Sequence, residues 1–271
     1  MEALRFSRIV QDLEVDDAAF RHDMEHLTPA NRSYVIFFSA RSGSSWLTSV
    51  LSSTNRLGYP EEYLNPDFVR EVAESQNTRD PFDLLQILKR KRKSPNGVFG
   101  IEVRHIDVEL FGEDLFFEIF DPTTVFFHLW RENIVSQGVS LFRAVATQRF
   151  HSNSDRGKAA PPDYDAEAII RWTRHVASTE NANVRMLHRH GCRAQMLQYE
   201  GIVGDSAAAI EFFAKALQVP FFVSETAVPD PQQLTKIGDG WNIDVEWRFR
   251  REHPEFVSET ENQRLITARA G

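Results

Sequence analysis

The sequence predicts an α/β fold, a parallel β-sheet flanked by helices, and three observations predict it. Short, mostly apolar runs such as Tyr34–Phe38, which is unbroken, and Thr124–Leu129 suit strands buried on both faces. Longer stretches with helically spaced apolar residues separate these runs, so the order reads β-α-β-α. The first run also passes through a small polar loop directly into a helical pattern. There is no internal repeat and no low-complexity segment.

A chain of 271 residues is long enough for one large α/β domain or two small ones. An apolar fraction of 42% with 21 phenylalanines supports a sizeable core. The net charge of −8 argues against non-specific binding to nucleic acid or an anionic membrane, so an anionic ligand needs local cations. Cys192 is the single cysteine, which leaves neither an intramolecular disulfide nor a cysteine metal cluster and fits a reducing compartment. No apolar stretch approaches the roughly 20 residues of a membrane span. The start Met1-Glu2-Ala3-Leu4-Arg5 is unlike a signal peptide. The expectation is a cytoplasmic protein.

Taken in order, residues 1–33 are an N-terminal extension, with Phe6, Ile9, Val10 and Leu13 available to pack on the domain or to serve an oligomer contact. The first strand begins at Tyr34, and the helix after its loop places Trp46, Leu47, Val50 and Leu51 on one face and ends near Thr54-Asn55. Gly58, Pro60 and Pro66 make residues 57–66 a structured turn. Helices fill 67–93, the second ending in Lys89-Arg90-Lys91-Arg92-Lys93. That run is either a grip for a polyanion or a solvated helix end where cations complement the dipole. Ser94-Pro95-Asn96-Gly97 turns into a second strand, Val98–Val103, and a helix spans 107–120. The third strand, Thr124–Leu129, leads through Trp130-Arg131-Glu132-Asn133 into a helix carrying Ile134, Val139 and Phe142. Residues 151–163 form a polar loop long enough to be a lid. Asp165 caps a long helix to about His190, Arg193–Tyr199 contains a fourth strand, and Asp205 caps a further helix. A Pro-rich loop at 228–231 and a charged amphipathic helix with Val245, Trp247 and Phe249 follow.

The loop Ser39-Ala40-Arg41-Ser42-Gly43-Ser44-Ser45 carries the chemistry. A strand, a small loop and a helix N-terminus aim several backbone N–H groups at one spot, and the dipole adds partial positive charge there. Gly43 permits close approach to the backbone, and the Arg41 guanidinium forks onto phosphate or sulfate oxygens. The competing reading is a Gly- and Ser-rich turn that binds nothing. The loop lacks the pattern G-x-x-x-x-G-K-[ST], so ordinary ATP or GTP hydrolysis is not indicated.

Parallel sheets place ligands at the C-terminal strand edges, and two of those edges here carry an arginine, Arg41 and Arg131. A magnesium-dependent NTPase wants a carboxylate ending a neighbouring strand, where this chain has Trp130-Arg131. That favours a polyanion held by cations and hydroxyls with no metal. Ser136 and Ser140 lie one helical turn apart and share a face.

Arg41-Ser42-Gly43-Ser44-Ser45-Trp46-Leu47 resembles the phosphosulfate-binding loop of sulfotransferases, and Arg131 through Ser140 resembles their arginine-plus-serine element. Gly58-Tyr59-Pro60-Glu61-Glu62-Tyr63 is similar to the G-x-P-x-E-aromatic turn of the bacterial carbohydrate sulfotransferases typified by trehalose 2-sulfotransferase. Pro95–Gly100 and Ser140–Ala144 also look like segments of that family, and the resemblance runs from about residue 33 to 252. It implies a P-loop NTPase-like sulfotransferase domain over 34–271. It also implies the donor 3′-phosphoadenosine 5′-phosphosulfate, a sugar or glycolipid acceptor, no metal and a homodimer. Glu62 is implied as the base, with Arg41 and the loop Ser42, Gly43, Ser44 and Ser45 on the donor and Arg131 and Ser140 on its 3′-phosphate. Ser140 lies one residue further from Arg131 than is usual in the superfamily, which keeps Ser136 open. Lys236 with Gly238 and Gly240 is a loose match to a late phosphate loop. Alternatives stay in view. Glu61 and Glu62 also suit a first helical turn after Pro60. His105 sits where some superfamily members carry a histidine base, though a lone strand-end histidine is more often structural. Trp172 suits either stacking on a ligand or the core. The competing functions are a nucleotide-dependent phosphotransferase and a non-catalytic nucleotide-binding relative.

Overall fold

Strand β1, Arg32–Phe37, is buried from Ser33 onward, and its side chains divide between two cores. Val35 and Phe37 pack on one face with Phe99, Ile101 and Val103. Tyr34 and Ile36 pack on the other with Leu47, Leu51 and Phe213. A strand covered on both faces has no polar side to spare, which is why the sequence shows an unbroken apolar run. The computed structural model describes residues 6–120, 122–149, 160–220 and 240–266.

The chain runs α1 (Phe6–Val10), α2 (Asp17–His26), β1, α3 (Ser44–Ser53), α4 (Val69–Ser75), α5 (Pro81–Lys91), β2 (Val98–Val103), α6 (His105–Phe111), α7 (Glu113–Ile119) and β3 (Val125–Trp130). It continues through α8 (Ile134–Thr147), α9 (Ala166–Arg189), β4 (Ala194–Gln198), α10 (Tyr199–Ile202), α11 (Ser206–Ala216), α12 (Gly240–Glu252) and α13 (Pro254–Asn262). The strands form one parallel sheet in the order β2-β1-β3-β4. From β1 the chain moves to β2 on one side, and from β3 to β4 on the other. The C-terminal ends of β1 and β3 therefore flank the switch point, where such sheets open a crevice.

Several local expectations reappear. Asp165 and Asp205 cap α9 and α11 by accepting from Ala168 N and Ala208 N, both at 2.9 Å. Phe6, Val10 and Leu13 of the N-terminal extension lie in the same core cluster as Val35 and Phe37. Other points differ. The expected helix over 107–120 is two helices, because the junction Gly112 has φ 122°, which no helix contains. Glu61 and Glu62 lie in irregular chain, and the next helix starts at Val69, so the first-turn reading of the two glutamates fails. Trp247, expected on the apolar face of α12, is 75% exposed. Most of the 151–163 loop, the 228–231 loop, Lys236 and Gly238 lie outside the described residues. Among the described residues no helix is long and apolar enough to cross a membrane.

Candidate active site

The loop after β1 is fastened from α8 and α9. Gln137 Nε2 donates to Ser39 Oγ at 2.9 Å and Ala40 O at 2.7 Å, and Asn183 Nδ2 donates to Phe38 O at 2.9 Å. Arg41 takes φ 65°, a left-handed conformation uncommon outside glycine, and Gly43 takes φ 92° as the N-cap of α3. Gly43 has no side chain with which to cap α3, so the cap leaves the helix's first N–H groups without that partner. The missing side chain of Gly43 serves a different end from the one expected. A Cβ there would lie 2.3 Å from the Tyr199 ring, so Tyr199 of α10, not a ligand, takes that space. The Ser42 hydroxyl is buried with no hydrogen-bond partner among the described residues.

The two strand-end arginines come together. Arg131 Nη1 donates to Arg41 O at 3.4 Å, and its guanidinium lies over the Tyr199 ring at 4.8 Å. Both serines join them: Arg41 Nε donates to Ser140 Oγ at 3.1 Å and Arg131 Nη2 to Ser136 Oγ at 3.5 Å. Burial first, then the Arg131 charge, lowers the Arg41 pKa, with Tyr199 opposing. An arginine stays cationic through this shift. Two guanidiniums that repel one another in a partly buried crevice suit an anion between them.

Residues invisible to the sequence reading hold Arg131 in place. Glu200 of α10 accepts from Glu132 N at 3.0 Å and lies 3.6 Å from Arg131 Nε. Arg264, beyond α13, donates to Arg131 O at 2.5 Å and Glu132 O at 2.9 Å. Its charge is balanced by Glu180 of α9 at 2.9 Å, with both side chains almost fully buried.

A cavity of about 430 Å³ adjoins the loop. Ser45, in the first turn of α3, belongs to both. Glu61, Glu62 and Glu102 line the cavity, while Phe68 and Val72 supply an apolar wall. The two adjacent glutamates differ. Glu61 is engaged by Arg92 Nη2 at 2.6 Å, whereas Glu62 Oε2 accepts from Asn65 Nδ2 at 2.8 Å. Glu102 was missed, although a carboxylate inside the apolar run Val98–Val103 was a readable signal. A second cavity of about 330 Å³, beside Arg32 and Val125, lies at the N-terminal strand edge, away from the crevice.

The remaining candidates sit elsewhere. His105 opens α6 with its N–H on Asn183 Oδ1 at 2.8 Å and does not line the cavity, and burial lowers its pKa. Trp172 packs against the apolar cluster of α8, α9 and α12. The basic run at 89–93 is spent on structure: Lys91 pairs with Asp23 at 2.5 Å, and Lys89 donates to Ile119 O at 3.2 Å. Among the described residues no group of three or more His, Cys, Asp or Glu side chains could hold a metal ion.

Comparison with known proteins supplies the family. The trehalose 2-sulfotransferase of Mycobacterium tuberculosis is 25% identical over 57% of this chain and 72% of that protein. A solved structure, the sulfotransferase domain from the Synechococcus PCC 7002 olefin synthase, is 14% identical with a TM-score of 0.44, covering 88% of this chain and 91% of that one. The Stf0 sulphotransferase profile matches residues 33–252, from β1 through α12. With most of its length matched, this chain belongs to the Stf0 sulphotransferase family.

Proposed function

We propose that this chain transfers a sulfuryl group from 3′-phosphoadenosine 5′-phosphosulfate to a hydroxyl of a carbohydrate or glycolipid. One observation carries the reading: the loop that bears Arg41, joined there by Arg131, runs on to Ser45, which lines a cavity with three glutamates. The bound donor supplies the activated sulfuryl group.

The residues present fit such a donor. The converging Arg41 and Arg131, the buried Ser42 hydroxyl and the α3 N-terminus at Gly43, Ser44 and Ser45 form a cationic, donor-rich cradle. Arg41 and the loop stabilise negative charge there. Arg131 and Ser140 hold the 3′-phosphate, with the Ser136 hydroxyl beside Arg131 as a second contact. Lys236 completes the cationic set in this proposal. Glu62 takes the proton of the acceptor hydroxyl on its carboxylate, a role worth roughly 10²- to 10⁴-fold in rate. Glu61 instead carries the exposed bridge to Arg92. Serine hydroxyls on one wall and the half-exposed Phe68 ring on another favour a sugar, which has hydroxyls at its edge and C–H groups on its face.

The same proposal takes residues 34–271 as the transferase domain, residues 1–33 as its extension, the assembly as a homodimer and the location as the cytoplasm, in keeping with a single cysteine. The test is sulfate transfer from radiolabelled donor to a panel of oligosaccharides and glycolipids, without added metal. Labelled sugar is the expected result. Use of ATP with magnesium and no use of the phosphosulfate donor would overturn the reading.

A further inference from the structure

Strand β2 carries one charged residue, Glu102, which is 3% exposed between Ile101 and Val103. Glu102 pairs in register with Ile36, whose side chain lies in the core on the α3 face. Phe99, Ile101 and Val103 pack into the opposite core. The carboxyl therefore projects toward α3, where it lines the cavity with Glu62. Its backbone N–H donates to Glu61 O at 3.1 Å, so β2 and the glutamate turn are fixed to one another. Its Oε1 has no hydrogen-bond partner among the described residues. Buried carboxyl oxygens are ordinarily paired, and the carboxyl carrying this enclosed, unpaired oxygen belongs to a residue of the cavity wall, where a change of rotamer would bring it to what enters.

We propose that Glu102 recognises the acceptor: its carboxyl hydrogen-bonds the polar group beside the hydroxyl that Glu62 deprotonates, so the cavity selects neutral acceptors presenting a vicinal diol. This rests on the sulfotransfer reading above. Burial, then the Glu62 and Glu61 carboxylates, pushes the Glu102 pKa well above the usual carboxylate range. That direction favours the neutral acid, which offers one O–H donor and acceptor oxygens. A sugar hydroxyl both donates and accepts and so matches it. An ammonium group would require the ionised form, which the site disfavours. Ser45, Thr48 and Ser52 of α3 extend the same hydroxyl chemistry along the wall.

The test uses the full chain, the phosphosulfate donor and a panel of neutral mono- and disaccharides that includes trehalose. The best-sulfated sugar is then compared with its monodeoxy analogues at the positions flanking the sulfated hydroxyl. The native chain should lose about tenfold in acceptor kcat/KM on one of these analogues. Glu102→Leu should lose about tenfold on the parent sugar, keep its donor KM, and no longer distinguish parent from analogue. Glu102→Gln, a neutral group of the same shape, should stay within about threefold. Equal rates of the native chain on the parent and on every flanking analogue would overturn the proposal, even if Glu102→Leu failed to fold. A fall in Glu102→Gln as deep as in Glu102→Leu would also overturn it, because charge would then be the requirement. Transfer to no sugar in the panel would defeat the carbohydrate reading itself, and this proposal with it.

Discussion

The first turn of α3 separates two regions of opposite charge. On one side Arg41 and Arg131 converge with Ser136 and Ser140. On the other, Glu61, Glu62 and Glu102 line a cavity. In the proposed reaction this polarity sorts the substrates. A polyanionic donor is drawn to the guanidiniums and repelled by the carboxylates, while a neutral acceptor is indifferent to the field and selected by hydrogen bonds. The arrangement also suits a base, because an anion bound nearby makes a carboxylate more basic. The two sides differ in construction as well. The crevice is pinned by a buried ion pair between Arg264 and Glu180, whereas Glu61 and Arg92 form a bridge open to solvent.

The largest effect should come from breaking that pin. Arg264→Met leaves Glu180 buried without its countercharge and frees the carbonyls of Arg131 and Glu132. Stability in denaturant titration should fall by roughly 3–5 kcal/mol. Binding of adenosine 3′,5′-bisphosphate to the folded variant should weaken too. A stability loss with unchanged binding would make the C-terminal segment scaffold alone.

Next in size is Glu62→Gln, which keeps the side chain's shape but not its basicity. Transfer should fall by roughly 10²-fold or more. Glu61→Gln should be mild, since the Arg92 bridge it removes is exposed and worth about 0–1 kcal/mol. Near-full activity in folded Glu62→Gln would remove the base from the proposal. A large loss in His105→Ala alone would transfer the role to that imidazole.

The smallest effect is a pH slope. In the folded chain the Glu102 pKa lies above its usual 4.5, so the folded state keeps a proton that the unfolded state releases. Its contribution to stability is full below that usual value and is lost as pH rises through the raised one. Melting temperatures of the native chain and Glu102→Gln should therefore diverge from pH 5 to pH 8, with the variant gaining. A constant difference would show that Glu102 does not titrate in this way.

The crevice was legible because its parts are local. Arg41 follows one apolar run and Arg131 another, and parallel-sheet geometry brings strand ends together without further information. The caps Asp165 and Asp205 were legible for the same reason. The cavity was not, because its walls come from α3, the turn at 60–63, α4 and β2, and their juxtaposition depends on packing. Glu62 was reached through family resemblance, and Glu102 needed the register of β2 against β1. Tyr199 filling the space beside Gly43, and Arg264 reaching Arg131 O, are contacts across 156 and 133 residues that no periodicity encodes.

The central claim is that the arginine crevice binds the donor and the carboxylates do not. Calorimetric titration of adenosine 3′,5′-bisphosphate into folded Arg41→Ala, Arg131→Ala and Glu62→Gln tests it most directly. Each arginine variant should lose roughly 1.5–3 kcal/mol of binding free energy, while Glu62→Gln loses none, because removing a repelling charge cannot weaken an anion's binding. Native affinity in both arginine variants, or a loss in Glu62→Gln as large as theirs, would contradict the account.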